Sequence, residues 1–436
     1  VVAAKDCSGQ SQRALIEEIL VDFDDTPEEA AYRKTVRDYI AKHRDELMSI
    51  SEGGRRDVQL EAAKKHQALM YDGGLVGVTW PKEYGGQGGT QMQQAIVNQE
   101  VSKAGLAGFV GVIGLGMCGP TVIAHGSDDQ KSRYLGRLLR GDDVWCQLFS
   151  EPASGSDLAA LRTKAVRTDS GSWRVNGQKV WTTLAHVSDF GILLTRTDPD
   201  VAKHRGLTMF VVDMKAPGVT VRPLRQMSGV SEFNEVFFDD VEIPDEERLG
   251  EVGDGWRVAL TTLMSERLSL GGGGTDVGTG LEAAAAHVAK RIGELPEGRQ
   301  ALVRQEFGRQ YAASLATRYT GYRQLSAISK GAMPGPEASA GKLAGTKTGR
   351  ALADLGVRLL GEEGVYATTA DGDGRWQSSQ AGLPGMAIAG GTDEILRNVL
   401  GERVLGLPPE PRADKGMSFN DSLKLGGTAA HAGGTQ

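Results

Sequence analysis

Trp145-Cys146-Gln147-Leu148-Phe149-Ser150-Glu151-Pro152-Ala153-Ser154-Gly155-Ser156-Asp157, followed by Trp173-Arg174-Val175-Asn176-Gly177-Gln178-Lys179-Val180-Trp181-Thr182-Thr183, is the stretch on which the fold of this chain turns. The second half has strand composition around Asn176-Gly177. That dipeptide is a strong short-hairpin signal, because both residues tolerate positive φ. The first half ends in small residues whose backbone N–H groups can approach an anion. Aromatic, hydroxyl and close-approach backbone groups together suit a flat, polar, phosphate-bearing cofactor. Either half alone would read as an ordinary hairpin with a Ser/Gly turn.

Together the halves resemble the flavin segments of acyl-CoA dehydrogenases, with their (T/S)EP-x-(A/S)GSD and NGxKxW(I/T)T patterns. The resemblance runs from about Phe23 to Pro408, with several separate motifs in the expected order. It implies a mainly α protein with a central β domain. An N-terminal α-helical domain, a middle β-barrel or sandwich and a C-terminal four-helix bundle are expected.

Composition bounds the alternatives. The chain has 436 residues, too many for one typical core, so two or three domains are expected. A formal net charge of −7, with interspersed Lys and Arg, argues against a nucleic-acid surface. Cys7, Cys118 and Cys146 form no metal or disulfide pattern, which points to a reducing cytoplasm. No signal peptide is visible. Ala104 to Ser127 lacks a formally charged side chain over 24 residues, but its seven Gly and Pro120 favour a buried helical hairpin over a membrane span. The same stretch holds Gly114-x-Gly116-x-x-Gly119. A nicotinamide fingerprint would need a preceding strand, and Pro120 and the turn-like Asp128-Asp129 fit it poorly.

In chain order, residues 1–24 read as a lead-in extension. The N-terminal helical domain covers 25–143. It opens on Thr26 as N-cap with Pro27 at the first helical position, and a second helical run follows from Val58 to Met70. The turn-rich Trp80 to Gly89 is a connector and, by the resemblance, a wall of the acyl pocket. The middle β domain covers 144–250, with strands at Leu207–Asp213, Val219–Val221 and Asn234–Val241. The helical period returns over 251–409. There Trp256, Ala259, Leu260, Leu263, Met264 and Leu268 form one apolar stripe. Further helices are expected at Leu281–Arg291, Ala301–Lys330, Ala338–Leu360 and Asp393–Leu405, the last with Thr392 as N-cap. Residues 410–436 are Gly/Ala/Thr-rich and read as a mobile tail.

Glu266 is the candidate base. On a helix its neighbours are Thr262, Leu263, Ser269 and Leu270, a mostly small and apolar patch. From pattern alone, an exposed glutamate paired with Arg267 or another base is the commoner arrangement. The resemblance reverses that weighting. Many members carry the base in a late Tyr-Glu-Gly-Thr segment, and Ala389-Gly390-Gly391-Thr392 puts glycine there. Isovaleryl- and long-chain-type members use a Glu-Arg dipeptide on the first C-terminal helix, which Glu266-Arg267 matches. The two glycines leave room consistent with a bulky or branched acyl group.

The resemblance therefore implies an FAD-dependent acyl-CoA dehydrogenase. Glu266 removes the α proton while a hydride passes from the β carbon to flavin N5, and the Gly390 N–H polarises the thioester carbonyl. Phe149 and Ser150 would line the isoalloxazine edge. Trp181 would pack near the ring and Thr183 would bond near N5. Ser156 would meet the phosphates of FAD or of coenzyme A. Thr392 and Glu394 would meet the cofactor at a helix N-terminus, and Arg267 would lie at the substrate. The bland readings are a core aromatic, a turn hydroxyl and a helix cap. An electron-transfer flavoprotein would be the acceptor. The assembly would be a homotetramer or dimer, or an α2β2 with a related chain. An oxidase, a carrier-protein-thioester desaturase and a non-catalytic subunit remain alternatives. Arg304-Gln305-Glu306-Phe307-Gly308 matches a cross-subunit flavin motif in letters but lies inside a helical run.

Overall fold

A computed structural model of the protein describes residues 25–48, 59–271, 280–329, 335–366 and 374–432. The expected extension at 1–24, Cys7, the start of the second helical run at Val58 and the last residues of the tail lie outside these.

Helix α1 (Pro27–Lys42) begins where expected, and the Thr26 hydroxyl accepts from the Glu29 N–H while the Glu29 carboxylate accepts from the Thr26 N–H. Helices α2 (Arg44–Met48), α3 (Leu60–Asp72) and α4 (Gln91–Lys103) follow. Glu100 on α4 takes Arg33 and Arg37 of α1 at 2.8 and 2.6 Å, which ties the two helices together.

The stretch after α4 is not a helical hairpin. Ala104 C-caps α4, irregular backbone follows, and Gly114–Cys118 then form a π turn that runs directly into α5 (Gly119–His125). The Gly114-x-Gly116-x-x-Gly119 glycines are thus helical and follow no strand. Gly119 is required by packing, since a Cβ there would lie 2.0 Å from the Trp80 ring. Asp128 and Asp129, expected in a turn, open α6 (Asp128–Arg140) behind a Ser127 cap, where their charge suits the helix N-terminus.

The middle domain comprises β1 (Trp145–Leu148), β2 (Lys164–Arg167), β3 (Trp173–Thr183), β4 (Phe190–Arg196), β5 (Leu207–Asp213), β6 (Val219–Pro223), β7 (Phe233–Ile243) and β8 (Arg248–Leu249). Their order is β6-β7-β3-β2-β4-β5-β8, with β1 parallel to β4. Strands β4 and β5 are apolar almost throughout because both faces are covered. Ile192, Leu194, Met209 and Val211 join the core shared with the N-terminal helices. The alternate residues Leu193, Phe210 and Val212 join a second core with Val236, Phe238 and Val241.

Asn176-Gly177 is not the hairpin turn. The chain reverses at Thr168–Ser172, where Gly171 has φ 90°, and Asn176 pairs with Lys164 inside β3. The register of β3 against β7 slips between Val175 and Gly177, so the dipeptide marks an irregularity within a strand. Gly177 has φ 155°, and a Cβ there would lie 2.5 Å from Thr163 Oγ1.

The C-terminal helices are α7 (Gly255–Gly271), α8 (Leu281–Arg291), α9 (Glu297–Ser329), α10 (Ser339–Leu359), α11 (Arg375–Met386) and α12 (Asp393–Arg403). The expected stripe on α7 is shifted. Val258, Ala259 and Thr262 are buried, whereas Leu260 is 41% and Met264 45% exposed, and the Leu268 side chain lies outside the described residues. The helix rests on α5 and on β4 and β5, so a buried threonine hydroxyl takes a place that a purely apolar count assigns to leucine. The tail is likewise not free in its described part. Helix α13 (Phe419–Ala432) begins with Phe419 only 4% exposed against the middle domain.

Candidate active site

The two quoted segments meet through a buried ion pair that joins them at their bases. Lys179 is fully buried, and its Nζ donates to Glu151 Oε1 at 2.8 Å and to the Phe149 carbonyl at 2.9 Å. Glu151 also accepts from the backbone N–H groups of Arg162 (2.6 Å) and Thr163 (2.8 Å). The Val180 N–H donates to the Ser150 carbonyl at 2.9 Å. Burial pushes the Glu151 carboxyl up, but Lys179 and these N–H donors outweigh it and hold the group below its ordinary value. Burial likewise pushes the Lys179 ammonium down to about 8, with Glu151 opposing the shift. At neutral pH both remain charged. Neither residue was singled out in the sequence. Both stand within its motifs, but nothing in their spacing signals that they meet.

Beyond this joint the strand twists. Trp181 has φ 60°, unusual for a bulky side chain, and it is 62% exposed, with the Phe233 ring edge-on at 6.2 Å. Leu184 also has positive φ, so the end of β3 is held in two left-handed residues. Thr183 is half-buried beside Trp181, while the Thr182 hydroxyl is buried without a partner. Phe149 is buried and Ser150 half-buried. Ser156 is exposed on the turn that the Ser154 hydroxyl closes by donating to the Asp157 carbonyl at 2.6 Å.

The remaining candidates lie on the helical bundle. Glu266 is half-buried on α7, one turn beyond Thr262. Thr262 Oγ1 meets Thr121 Oγ1 at 2.8 Å in a fully buried contact, and Thr261 Oγ1 meets His125 Nε2 at 2.8 Å. These bonds set the rotation of α7 on α5. Arg267 lies in the helix, with its side chain outside the described residues. Gly390 and Gly391 adopt φ 64° and 85°, which L side chains rarely do. Thr392 caps α12 by accepting from the Ile395 N–H at 3.2 Å. Lys342 of α10 donates to the Gly391 carbonyl and to Asp393, both at 3.0 Å, and α10 packs on α7. Glu394 is exposed and faces Arg397 at 3.6 Å. The candidates thus fall into two sets by element: Phe149, Ser150, Trp181 and Thr183 on the β-domain segments joined by Glu151–Lys179, and Glu266 and Gly390–Glu394 on the helical bundle.

A flat ring fits the first set. Trp181 presents an uncovered aromatic surface, Thr183 lies beside it, and the small-residue turn at Ser156 is open to a phosphate. In the second set, the N-terminus of α12 carries backbone N–H groups suited to an anion.

Residues 26–142, 146–241 and 253–405 match the acyl-CoA dehydrogenase N-terminal, middle and C-terminal domains. The acyl-CoA dehydrogenase IpdE1 of Mycobacterium tuberculosis is 34% identical over 395 residues, 88% of this chain and 98% of that protein. The chain belongs to the acyl-CoA dehydrogenase family. Members of this family are oxidoreductases that bind FAD. Acyl-CoA dehydrogenase FadE34 of the same organism is 41% identical over 347 residues, 79% of this chain, which span only 46% of FadE34. Among solved structures, the Tcur3481-Tcur3483 steroid ACAD is similar, with a TM-score of 0.76 and 28% identity over 89% of this chain and 100% of that one. The ChsE4-ChsE5 complex from Mycobacterium tuberculosis gives a TM-score of 0.73 and 28% identity over 89% of this chain and 100% of the matched one. Among the described residues, no helix is long and apolar enough to cross a membrane.

Proposed function

We propose that this chain is an FAD-dependent dehydrogenase of acyl-CoA thioesters, with Glu266 as the base that takes the α proton. The observation that carries the reading is the position of Glu266. It is the half-buried carboxylate on α7, a helix rotationally fixed by the Thr121–Thr262 bond, in a family whose chemistry needs such a base. Bound FAD supplies the acceptor for the two electrons that leave the acyl chain. Trp181 would lie against its ring, and Thr183, Phe149 and Ser150 would line the ring's edge. Ser156, Thr392 and Glu394 would hold its polar portions, with Ser156 a candidate for coenzyme A as well. Arg267 lies on the substrate side of Glu266. The Gly390 N–H polarises the thioester carbonyl.

The substrate class proposed is a bulky, polycyclic acyl thioester of the kind that the similar steroid ACAD is named for. Gly390 supports this, because by the resemblance many members carry the larger glutamate at the matching position. Electrons pass on to an electron-transfer flavoprotein. A mixed assembly with a related chain is the second reading, because the ChsE4-ChsE5 relative is a complex of two named proteins.

Glu266→Gln tests the base. The variant is expected to bind FAD normally and to lose flavin bleaching by acyl-CoA under anaerobic conditions by about 10²–10⁴-fold. Near-normal bleaching would remove Glu266 from the mechanism. A colourless protein that becomes active only with a second chain would favour the non-catalytic subunit. Rapid reoxidation in air would favour an oxidase.

A further inference from the structure

The described end of the chain is attached at the turn that carries Ser156. Lys203 bridges the two, with Nζ 2.8 Å from Asp157 Oδ2 and 2.6 Å from Asp414 Oδ2. Five and six residues on, the backbone N–H groups of Phe419 and Asn420 donate to the carbonyls of Val201 (2.8 Å) and Pro199 (3.0 Å). The Asn420 amide donates to Asp200 Oδ1 at 2.7 Å. Phe419 is 4% exposed, and the Arg196 guanidinium lies over its ring at 3.7 Å. That guanidinium spends its N–H groups on the carbonyls of Ala159 (2.5 Å), Leu161 (3.1 Å) and Lys203 (3.1 Å). Arg196 therefore gathers the far end of the Ser154–Leu161 loop, and Phe419 covers the face on which water would compete for those bonds.

We propose that residues 414–420 form a clasp that holds the Ser154–Leu161 loop in the shape that receives phosphate groups, and that this clasp sets how tightly the phosphates bind. The proposal rests on the placement of phosphate at Ser156 made above. The loop is fixed at its start by Glu151–Lys179, but its middle consists of small and exposed residues: Gly155, Ser156 and Asp157. Without the Asp157–Lys203–Asp414 bridge and the Phe419 cover, that middle keeps the Ser154 hydroxyl bond to the Asp157 carbonyl, and the ligand has to supply more of its order, at a cost in affinity. Lys203, Asp414 and Phe419 are positioning residues. None of them is placed at the reacting atoms.

Phe419→Ala, Asp414→Asn and a chain ended after Pro409 test the clasp. The phosphate source is FAD or coenzyme A, so two arms are run. FAD is titrated into stripped apoprotein, and coenzyme A into the flavin-loaded protein. A third readout is the rate of trypsin cleavage after Arg162 in the apoprotein, which reports the loop without any ligand. The expected result is faster cleavage at Arg162 and about tenfold weaker binding in one arm, with Phe419→Tyr restoring both. The arm that weakens identifies the phosphate source. Unchanged cleavage and unchanged affinity in both arms overturn the clasp and leave the flavin reading intact. A wild-type protein that takes up no FAD overturns both.

Discussion

Lys179 is the side chain with the largest structural demand in the site, because a fully buried ammonium is tolerable only with its partners in place. Lys179→Met keeps the volume but leaves the Glu151 carboxylate buried and facing an apolar group. The expected cost is about 3–5 kcal/mol, seen as a lowered urea midpoint. An unchanged midpoint would show that water replaces the lysine at no cost. Gly177 makes a second demand. Its Cβ position lies 2.7 Å from the Thr163 Cα, at a φ of 155°. Gly177→Ala is expected to lose about 1–3 kcal/mol by the same measurement, because Thr163 backbone cannot yield as a flexible side chain could. At this scale the motif letters were readable in advance and their partners were not. Glu151, Lys179 and Thr262 are ordinary in one dimension, and only the approach of β3 and α5 gives them their roles.

Helix α1 is attached to α4 through shared apolar core and through Glu100, and the Glu100 attachment has a pH signature. Burial opposes ionisation of Glu100, yet the guanidinium groups of Arg37 and Arg33 prevail and hold its pKa at about 2. In the unfolded chain a glutamate titrates near its ordinary value of 4.5. Glu100 therefore contributes stability that is fully present above that value and disappears as pH falls from there towards about 2. Glu100→Gln should be less stable than the wild type at neutral pH and lose less on acidification. Thermal melting across that range would show the two curves converging, and parallel curves would refute the assignment. Two elements were legible from an end signal: Thr26 and Thr392 each accept from the backbone N–H three residues on, whereas Ser127 does the same for α6 and was read as part of a turn. Elements defined by what covers them were misread. The Asn176-Gly177 turn dissolved into β3 because pairing with β2 and β7 on both sides outweighs a local turn preference. The stripe on α7 shifted because the sheet and α5 bury Val258, Ala259 and Thr262.

Across the whole molecule, the exposed apolar side chains lead to a prediction about assembly. Ile388 is 69%, Leu405 71% and Leu407 56% exposed at the end of the helical bundle, and Leu302 on α9 is 65% exposed. Apolar surface of this kind is commonly covered by another chain. Leu405→Glu together with Ile388→Glu is expected to shift sedimentation towards a smaller species while the FAD spectrum persists. An unchanged distribution would remove these residues from the interface. The same scale separates what could be known in advance. The order of helical, β and helical segments followed from the sequence alone, because hydrophobic period and cap residues are local properties of the chain, while the flavin motifs and the candidate base at Glu266 came from its resemblance to a family. The burial of Lys179 against Glu151, the rotation of α7 on Thr121 and the docking of Phe419 over Arg196 were decided only by tertiary structure. Each joins residues on different elements, within the middle domain for Lys179 and Glu151 and between domains for the other two, and such contacts form only when those elements pack together.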